Sequence, residues 1–248
     1  LHVSSEIPTG MLGAFDSPYS GADTVDIVVH GVGAHGASPH RSVDPVVLAS
    51  QIVIALQTVV SRNLPPREPG VITIGSFHSG TKHNIIPDRA TLQLTVRSET
   101  PESRVILLNG IRRVAENLGR AAGLSGNMLP SVTISEESVP PTWNDREFTE
   151  KLVDLWGAKF GKDVFAQGKR LGMGAEDFPL FTTDPYIPST YFAVGGTPKS
   201  AFEIEAKGGA PVPSHHSPLF KIDPRASIIL GTEATVVALL ALMKSQSP

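Results

Sequence analysis

Residues 91–97 alternate strictly: Leu92, Leu94 and Val96 fall on one side, Thr91, Gln93, Thr95 and Arg97 on the other. A strand of this kind has one covered and one polar face, the pattern of an antiparallel sheet packed on one side only. The neighbouring segments supply the cover. Residues 24–30 read as a strand with Val25, Ile27 and Val29 on one face. Asp44-Pro45 opens a helix to about Arg62, with a carboxylate cap and proline at the first helical position. Residues 71–77 form a strand, and turns follow at Ser79-Gly80 and at 84–88. Thr100-Pro101-Glu102 starts a second helix ending near Gly123, and 131–135 closes the set as a strand. The order over 24–136 is therefore β-α-β-β-α-β. It predicts a split βαβ, ferredoxin-like unit with both helices on one face of one antiparallel sheet. The face carrying Gln93 and Arg97 is then open to solvent, a partner or a ligand.

The flanks are different. Ser4, Ser5, Pro8, Gly10, Gly13, Ser17, Pro18 and Gly21 make residues 1–22 loop-like. Beyond Pro140-Pro141, Asn144 or Asp145 caps a helix to about Phe160, with Gly161 as its left-handed cap. A short strand is expected at 163–166, a glycine-rich acidic turn at 171–178, a strand at 190–194, a long loop at 197–213 and an apolar helix at 224–244. These pieces read as α/β with too few strands for a complete sheet.

The 248 residues, 40% hydrophobic and 18% charged, suffice for a real core in one or two domains. A net charge of -3 excludes the basic footprint of a nucleic-acid binder. The most apolar stretches, 46–60 and 234–243, are interrupted by polar residues or too short for the roughly 18 residues of a membrane span. No cysteine is present, which excludes disulfides and thiolate ligands. Residues 1–13 lack a secretory signal, and the expected setting is cytoplasmic. The absence of an initiator methionine is read as a mature start, or as a front portion lying outside this sequence.

Eight histidines carry the chemical signal. His2 opens the chain and His215-His216 lies near its end, within Ser214-His215-His216-Ser217-Pro218. Neutral imidazole is the commonest ligand for zinc and similar metals, so this pattern suggests a metal site closed by distant segments. Taken alone, each candidate also has a plainer explanation. His2 is then a solvated terminal residue, His35 a turn residue among glycines, Asn84 a left-handed turn position, Arg97 part of a solvated strand face, and Glu176-Asp177 a helix-start pair. There is no Gly-x-Ser-x-Gly, and Ser214 beside two histidines does not make a triad.

Several segments in order carry a resemblance: Leu1-His2-Val3; Gly33-Ala34-His35-Gly36-Ala37-Ser38-Pro39-His40 with Asp44-Pro45; Asn84-Ile85-Ile86-Pro87-Asp88; Thr95-Val96-Arg97; Pro140-Pro141-Thr142-Trp143-Asn144; Met173-Gly174-Ala175-Glu176-Asp177-Phe178; and His215-His216-Ser217-Pro218. Together they resemble the metal-dependent amidohydrolases of the M20 peptidase clan, in the branch of hippurate, N-acyl-amino-acid and auxin-conjugate hydrolases. The resemblance implies a ferredoxin-like βαββαβ lid and dimerisation domain (23–136) inserted in an incomplete α/β catalytic domain (1–22 and 137–248). It implies two divalent metals, Zn or Mn, per complete site, with His2 and His216 as ligands and His215 as the near alternative. His35 and Asn84 match lid residues that donate to the developing oxyanion across a homodimer. Arg97 matches an arginine that takes a substrate carboxylate, and Gly174 and Glu176 match a loop lining the substrate pocket. The remaining ligands and the water-activating glutamate belong to the front half. The expected activity is hydrolysis of amide bonds in N-acyl amino acids or dipeptide-like substrates; the alternative is a non-catalytic dimerising module. A companion chain carrying the front half, or tight dimerisation, is expected to cover the gap.

Overall fold

The computed structural model describes residues 1–14, 19–167 and 172–244. In chain order the strands are β1 (His2–Pro8), β2 (Leu12–Gly13), β3 (Gly21–His30), β4 (Ala34–His35), β5 (Gly70–Ser79), β6 (Ile85–Ile86), β7 (Arg89–Ser98), β8 (Ser131–Ile134) and β9 (Ala193–Thr197). The helices are α1 (Pro45–Asn63), α2 (Pro101–Ala121), α3 (Arg146–Phe160), α4 (Lys199–Ala206) and α5 (Pro224–Lys244). They divide into two compact units.

One unit holds Tyr19–Pro141 and Met173–Leu180. Its four-stranded antiparallel sheet has the order β5-β7-β3-β8, the ferredoxin-like arrangement expected from the β-α-β-β-α-β order. Val25 pairs with Leu94 and Ile27 with Leu92, so alternate residues of β3 and β7 share one face. That face is fully buried against Leu48, Ile52 and Leu56 of α1 and Leu107 and Ile111 of α2. Burying about a dozen such side chains, each contributing roughly 1.5–3 kcal/mol, is what closes this layer. The helix starts follow their signals. Asp44 accepts the Val46 and Val47 amides, and Thr100 forms a reciprocal capping box with Ser103. Gly110 lets α2 approach α1, because a Cβ there would overlap Val59 Cγ1. Asp23, 2% exposed, receives Nε and Nη2 of Arg104, tying the start of β3 to α2. A bulge between Ile74 and Ser76 interrupts the β5–β7 register on the sheet edge.

The other unit holds Leu1–Pro18, Thr142–Gly172 and Phe181–Pro248, of which the described residues form a three-stranded sheet, β1-β9-β2. Val3 pairs with Val194 in parallel, and Leu12 pairs with Val194 from the other side. Leu12, Leu152, Trp156, Phe192, Val194, Leu230 and Ala234 form its core. The Trp156 indole donates to the Ala234 carbonyl at 2.8 Å, joining α3 to α5. Asp145, not Asn144, caps α3 by accepting the Phe148 amide; Asn144 instead bonds both backbone groups of Tyr191.

This unit corrects several sequence expectations. The first residues are strand, not loop: β1 and β2 are ordered by β9, a partner about 190 residues away, and local turn propensity does not register that pairing. Residues 197–213 include α4, a helix without a side-chain cap at its start. The strand expected at 163–166 is a 3-10 turn, Lys162–Val164, followed by an isolated bridge from Phe165 to Leu12. The strand expected at 190–194 lies three residues later, because Asn144 holds Tyr191 before β9 begins. Helices Pro45–Asn63 and Pro224–Met243 are long and apolar enough to cross a membrane, the second because its apolar run begins well before residue 234. In the fold α1 buries a core face, while Ile228, Leu239, Leu240 and Met243 of α5 stay half or more exposed.

Candidate functional site

His35 stands on β4, a two-residue strand paired with β6, where His35 faces Ile85. The Gly36 amide donates to the Asn84 carbonyl at 2.8 Å, joining the two turns. A Cβ at Gly36 would sit 3.0 Å from that same oxygen, so glycine permits the approach. The sequence candidates His35 and Asn84 are thereby held side by side. His35 Nδ1 accepts the Ala37 amide at 3.0 Å. An accepting Nδ1 places the ring proton of the neutral imidazole on Nε2, so His35 presents a fixed N–H donor. Asn84 is exposed and does not adopt the left-handed conformation; among the described non-glycine residues only His216 has a positive φ. A cavity of about 830 Å³ opens here, with His35, His78, Ile85, Asp88, Arg89 and Thr91 in its wall.

Arg97 lies near the far end of β7, half-buried on the open face and opposite Ala22 and Val71. No ion-pair partner meets it among the described residues. Arg89, on the cavity wall, is eight residues away on the same strand, roughly 26 Å at about 3.3 Å per residue. Gly174 accepts the Ser20 amide at 2.8 Å, and Ser20 Oγ donates to the Met173 carbonyl at 2.8 Å. Glu176 accepts the Asp177 amide ahead of the 3-10 turn Phe178–Phe181. This loop is fastened to the start of β3 and is not part of the cavity wall beside His35. Leu171, the first residue of the expected acidic turn, lies outside the described residues.

In the other unit His2 and His215 come together, their ring centroids 5.4 Å apart. His2 Nδ1 lies 2.7 Å from the Val3 carbonyl oxygen, which can only accept. Nδ1 therefore donates and Nε2 carries the lone pair, the usual state of a metal-binding imidazole. His215 Nε2 instead accepts the Ser5 amide at 3.2 Å, which occupies the nitrogen a metal would need. His216 is exposed, at φ 64. The donor chemistry of His2 and His216 suits a divalent metal, but no group of three His, Asp or Glu side chains able to hold one occurs among the described residues. These two imidazoles are at most part of a site.

The cavity residues Arg89 and His78 were not singled out as site candidates. The alternation of β7 extends back to Arg89, which is in phase with Arg97, and that periodicity was the available signal.

Residues 20–122 match the peptidase dimerisation domain of M20 enzymes. The N-acetylcysteine deacetylase of Bacillus subtilis is 36% identical over 249 residues, spanning 98% of this chain and 58% of that protein. The chain belongs to the M20 peptidase family. A solved Staphylococcus aureus structure assigned as an aminohydrolase matches this M20 chain with a TM-score of 0.76 and 28% identity, covering 96% of this chain and 57% of that one. A dinuclear metal-binding M20 peptidase of Bacillus subtilis shares the fold at a TM-score of 0.69 and 24% identity, covering 96% and 55%. This M20 chain spans about half the length of the curated relatives it matches.

Proposed function

We propose that this M20 chain is part of a metal-dependent amidohydrolase acting on N-acyl amino acids or dipeptide-like amides. The observation that carries the reading is His35, whose Nδ1 accepts the Ala37 amide and so leaves the ring proton on Nε2, on a turn bonded to the backbone of Asn84. Two neighbouring donors suit a carbonyl oxygen as it gains negative charge. Arg97, a half-buried cation on the open sheet face, suits a substrate carboxylate through its planar fork. The amide and carboxylate carbons of an N-acyl amino acid, three bonds apart, lie less than about 4 Å from each other, on the scale of one residue. Arg97 lies roughly 26 Å along β7 from Arg89, which shares a cavity wall with His35, and that separation argues against one lid placing both His35 and Arg97 on one such molecule. The spacing therefore favours a homodimer in which His35 and Asn84 of one subunit serve the site that holds Arg97 of the other.

His2 and His216 would hold divalent metal, zinc or manganese, in company with ligands outside these 248 residues. When bound, that metal supplies the Lewis acidity and the lowered water pKa of amide hydrolysis. Gly174 and Glu176 are proposed to line the substrate pocket. The exposed apolar flank of α5 supports a companion segment packed against this unit. The lack of a third metal donor beside these imidazoles among the described residues favours a second reading for the chain by itself, a non-catalytic dimerising module.

Metal analysis and hydrolysis of N-acyl amino acids test both, using the chain alone and together with a front half taken from the deacetylase relative. The amidohydrolase reading expects metal retention and turnover only in the combination, with Arg97→Ala raising KM for free-acid substrates but not for their carboxamides. A combination that keeps two metals and hydrolyses none of these amides would sink it. Two tightly held metals in the chain alone would instead sink the non-catalytic reading.

A further inference from the structure

The loop Met173–Leu180 belongs to the lid unit, although the chain on either side of it, Thr142–Gly172 and Phe181–Pro248, belongs to the other. A short stretch set apart from its flanks in this way needs a fastening. Ser20, 3% exposed, supplies it. Its amide donates to the Gly174 carbonyl at 2.8 Å, and its hydroxyl lies 2.8 Å from the Met173 carbonyl oxygen and 3.1 Å from that of Gly174. Carbonyl oxygens only accept, so both donors of one serine are spent on two consecutive carbonyls of the loop. The serine segment is held in turn from its other side. Ala22 exchanges both backbone bonds with Val139, and a Cβ at Gly21 would lie 3.1 Å from the Val139 oxygen and from Pro141 Cδ. Residues 173–176 are half-buried and Pro179 is buried, so the loop lies against the unit that holds it. The same end of the sheet carries Arg97. Ala22 pairs with Arg97 across β3 and β7, and Ser20 precedes Ala22 by two residues, roughly 7 Å of extended chain.

We propose that Arg97 and the loop at 173–177 form one substrate-binding element, and that Ser20 is the positioning residue that sets the distance between them. The inference rests on the amidohydrolase reading, in which Arg97 takes the substrate carboxylate and Gly174 and Glu176 line the pocket. The carboxylate and the side chain beside it arrive on one small molecule. The groups that receive them must therefore keep their spacing to within about 0.5 Å. Ser20 sets that spacing inside a single unit, because the loop hangs two residues from the strand partner of Arg97. Ser20 itself acts only through the two carbonyls that it holds.

Cleavage of the full 248-residue chain after Glu176 by a glutamate-specific protease tests the fastening without requiring turnover. The cut needs the loop to come away from its support, so its rate follows the open fraction. Ser20→Ala removes the hydroxyl donor and keeps the amide. It should speed this cut about fivefold, the worth of one hydrogen bond, with amide exchange of β7 unchanged. In the enzyme combined with the deacetylase front half, the same variant should raise KM for N-acyl amino acids about fivefold and leave kcat within about twofold. Ser20→Thr keeps the donor and should return both readings to those of the unaltered chain. A cut no faster than in the unaltered chain, a matching loss of protection in β7, or an unmoved KM beside a faster cut each overturns the proposal. A combination that hydrolyses none of these amides removes the reading beneath it instead, and the rate of the cut then decides by itself whether Ser20 fastens the loop.

Discussion

The Asp23–Arg104 pair makes an asymmetric prediction. Asp23 is 2% exposed, and Arg104 reaches it with Nε at 2.9 Å and Nη2 at 2.7 Å, while the arginine side chain itself is 40% exposed. Removing one partner of a buried pair strands the other, at about 3–5 kcal/mol for a fully buried charge. In Arg104→Ala the stranded group is the carboxylate, sealed under α2. Partial access of water on the arginine side argues for the lower end, about 3 kcal/mol. In Asp23→Asn the stranded group is a guanidinium that water can already reach, and the amide keeps one acceptor, so the loss is about 1–1.5 kcal/mol. Arg104→Ala should therefore be the worse variant by roughly 1.5–2 kcal/mol, although Asp23 is the more buried residue. Native-state amide exchange of β3 and β7 in the intact chain reads this unit by itself. Equal losses, or a larger loss in Asp23→Asn, would refute the view that the cost follows the charge left behind.

Three further outcomes follow from the packing. Gly110→Ala gains about 1 kcal/mol of helix propensity but forces a methyl against Val59, an overpacking loss of about 1–3 kcal/mol. Combined with Val59→Ala, the double variant should be more stable than the sum of the single losses by about 1 kcal/mol in denaturant melts, and additivity would count against the contact. Trp156→Phe abandons the bond to the Ala234 carbonyl and leaves space in the core of the other unit, so near-UV circular dichroism should show its melt shifted down, by about 1–3 kcal/mol. The Tyr186 hydroxyl donates to Asp145 at 2.6 Å; with the Phe148 amide it holds the carboxyl below its ordinary 3.8, and the same bond raises the tyrosine above 10.0. The Asp145 contribution is complete above pH 3.8 and fades as pH falls below it, whereas the Tyr186 contribution is complete below pH 10.0 and fades above it. Tyr186→Phe should move the Asp145 carboxyl back up in an NMR titration; an unmoved titration would show that the helix cap alone sets it.

The unit built from β3, β5, β7, β8, α1 and α2 was legible because its signals are local. Alternation in β7, the Asp44-Pro45 cap and the Thr100-Pro101 start each act within a few residues. The first strand was not legible, since Ser4 and Ser5 are polar yet buried, and their place depends on β9 far along the chain. Within the candidate site, the pairing of His35 with the Asn84 turn could be anticipated only through family resemblance, because the contact runs between two short strands with no periodicity. The bond that the Ser5 amide donates to His215, which bears on whether His215 or His216 is the proposed ligand, is a contact that residue order does not reveal.

The length of β7 has a genetic consequence. If a complete site draws Arg97 from one lid and the His35–Asn84 pair from the other, two dead proteins can repair each other. His35→Ala and Arg97→Ala homodimers would each lack one element at both sites. Exchange of subunits would yield hybrids with one site lacking both elements and one intact. About half of the dimers in an equal, freely exchanging mixture would be such hybrids, so about a quarter of all sites would recover. A ten-residue strand would then turn a point lesion in one copy of the gene into a trait that another damaged copy can mask.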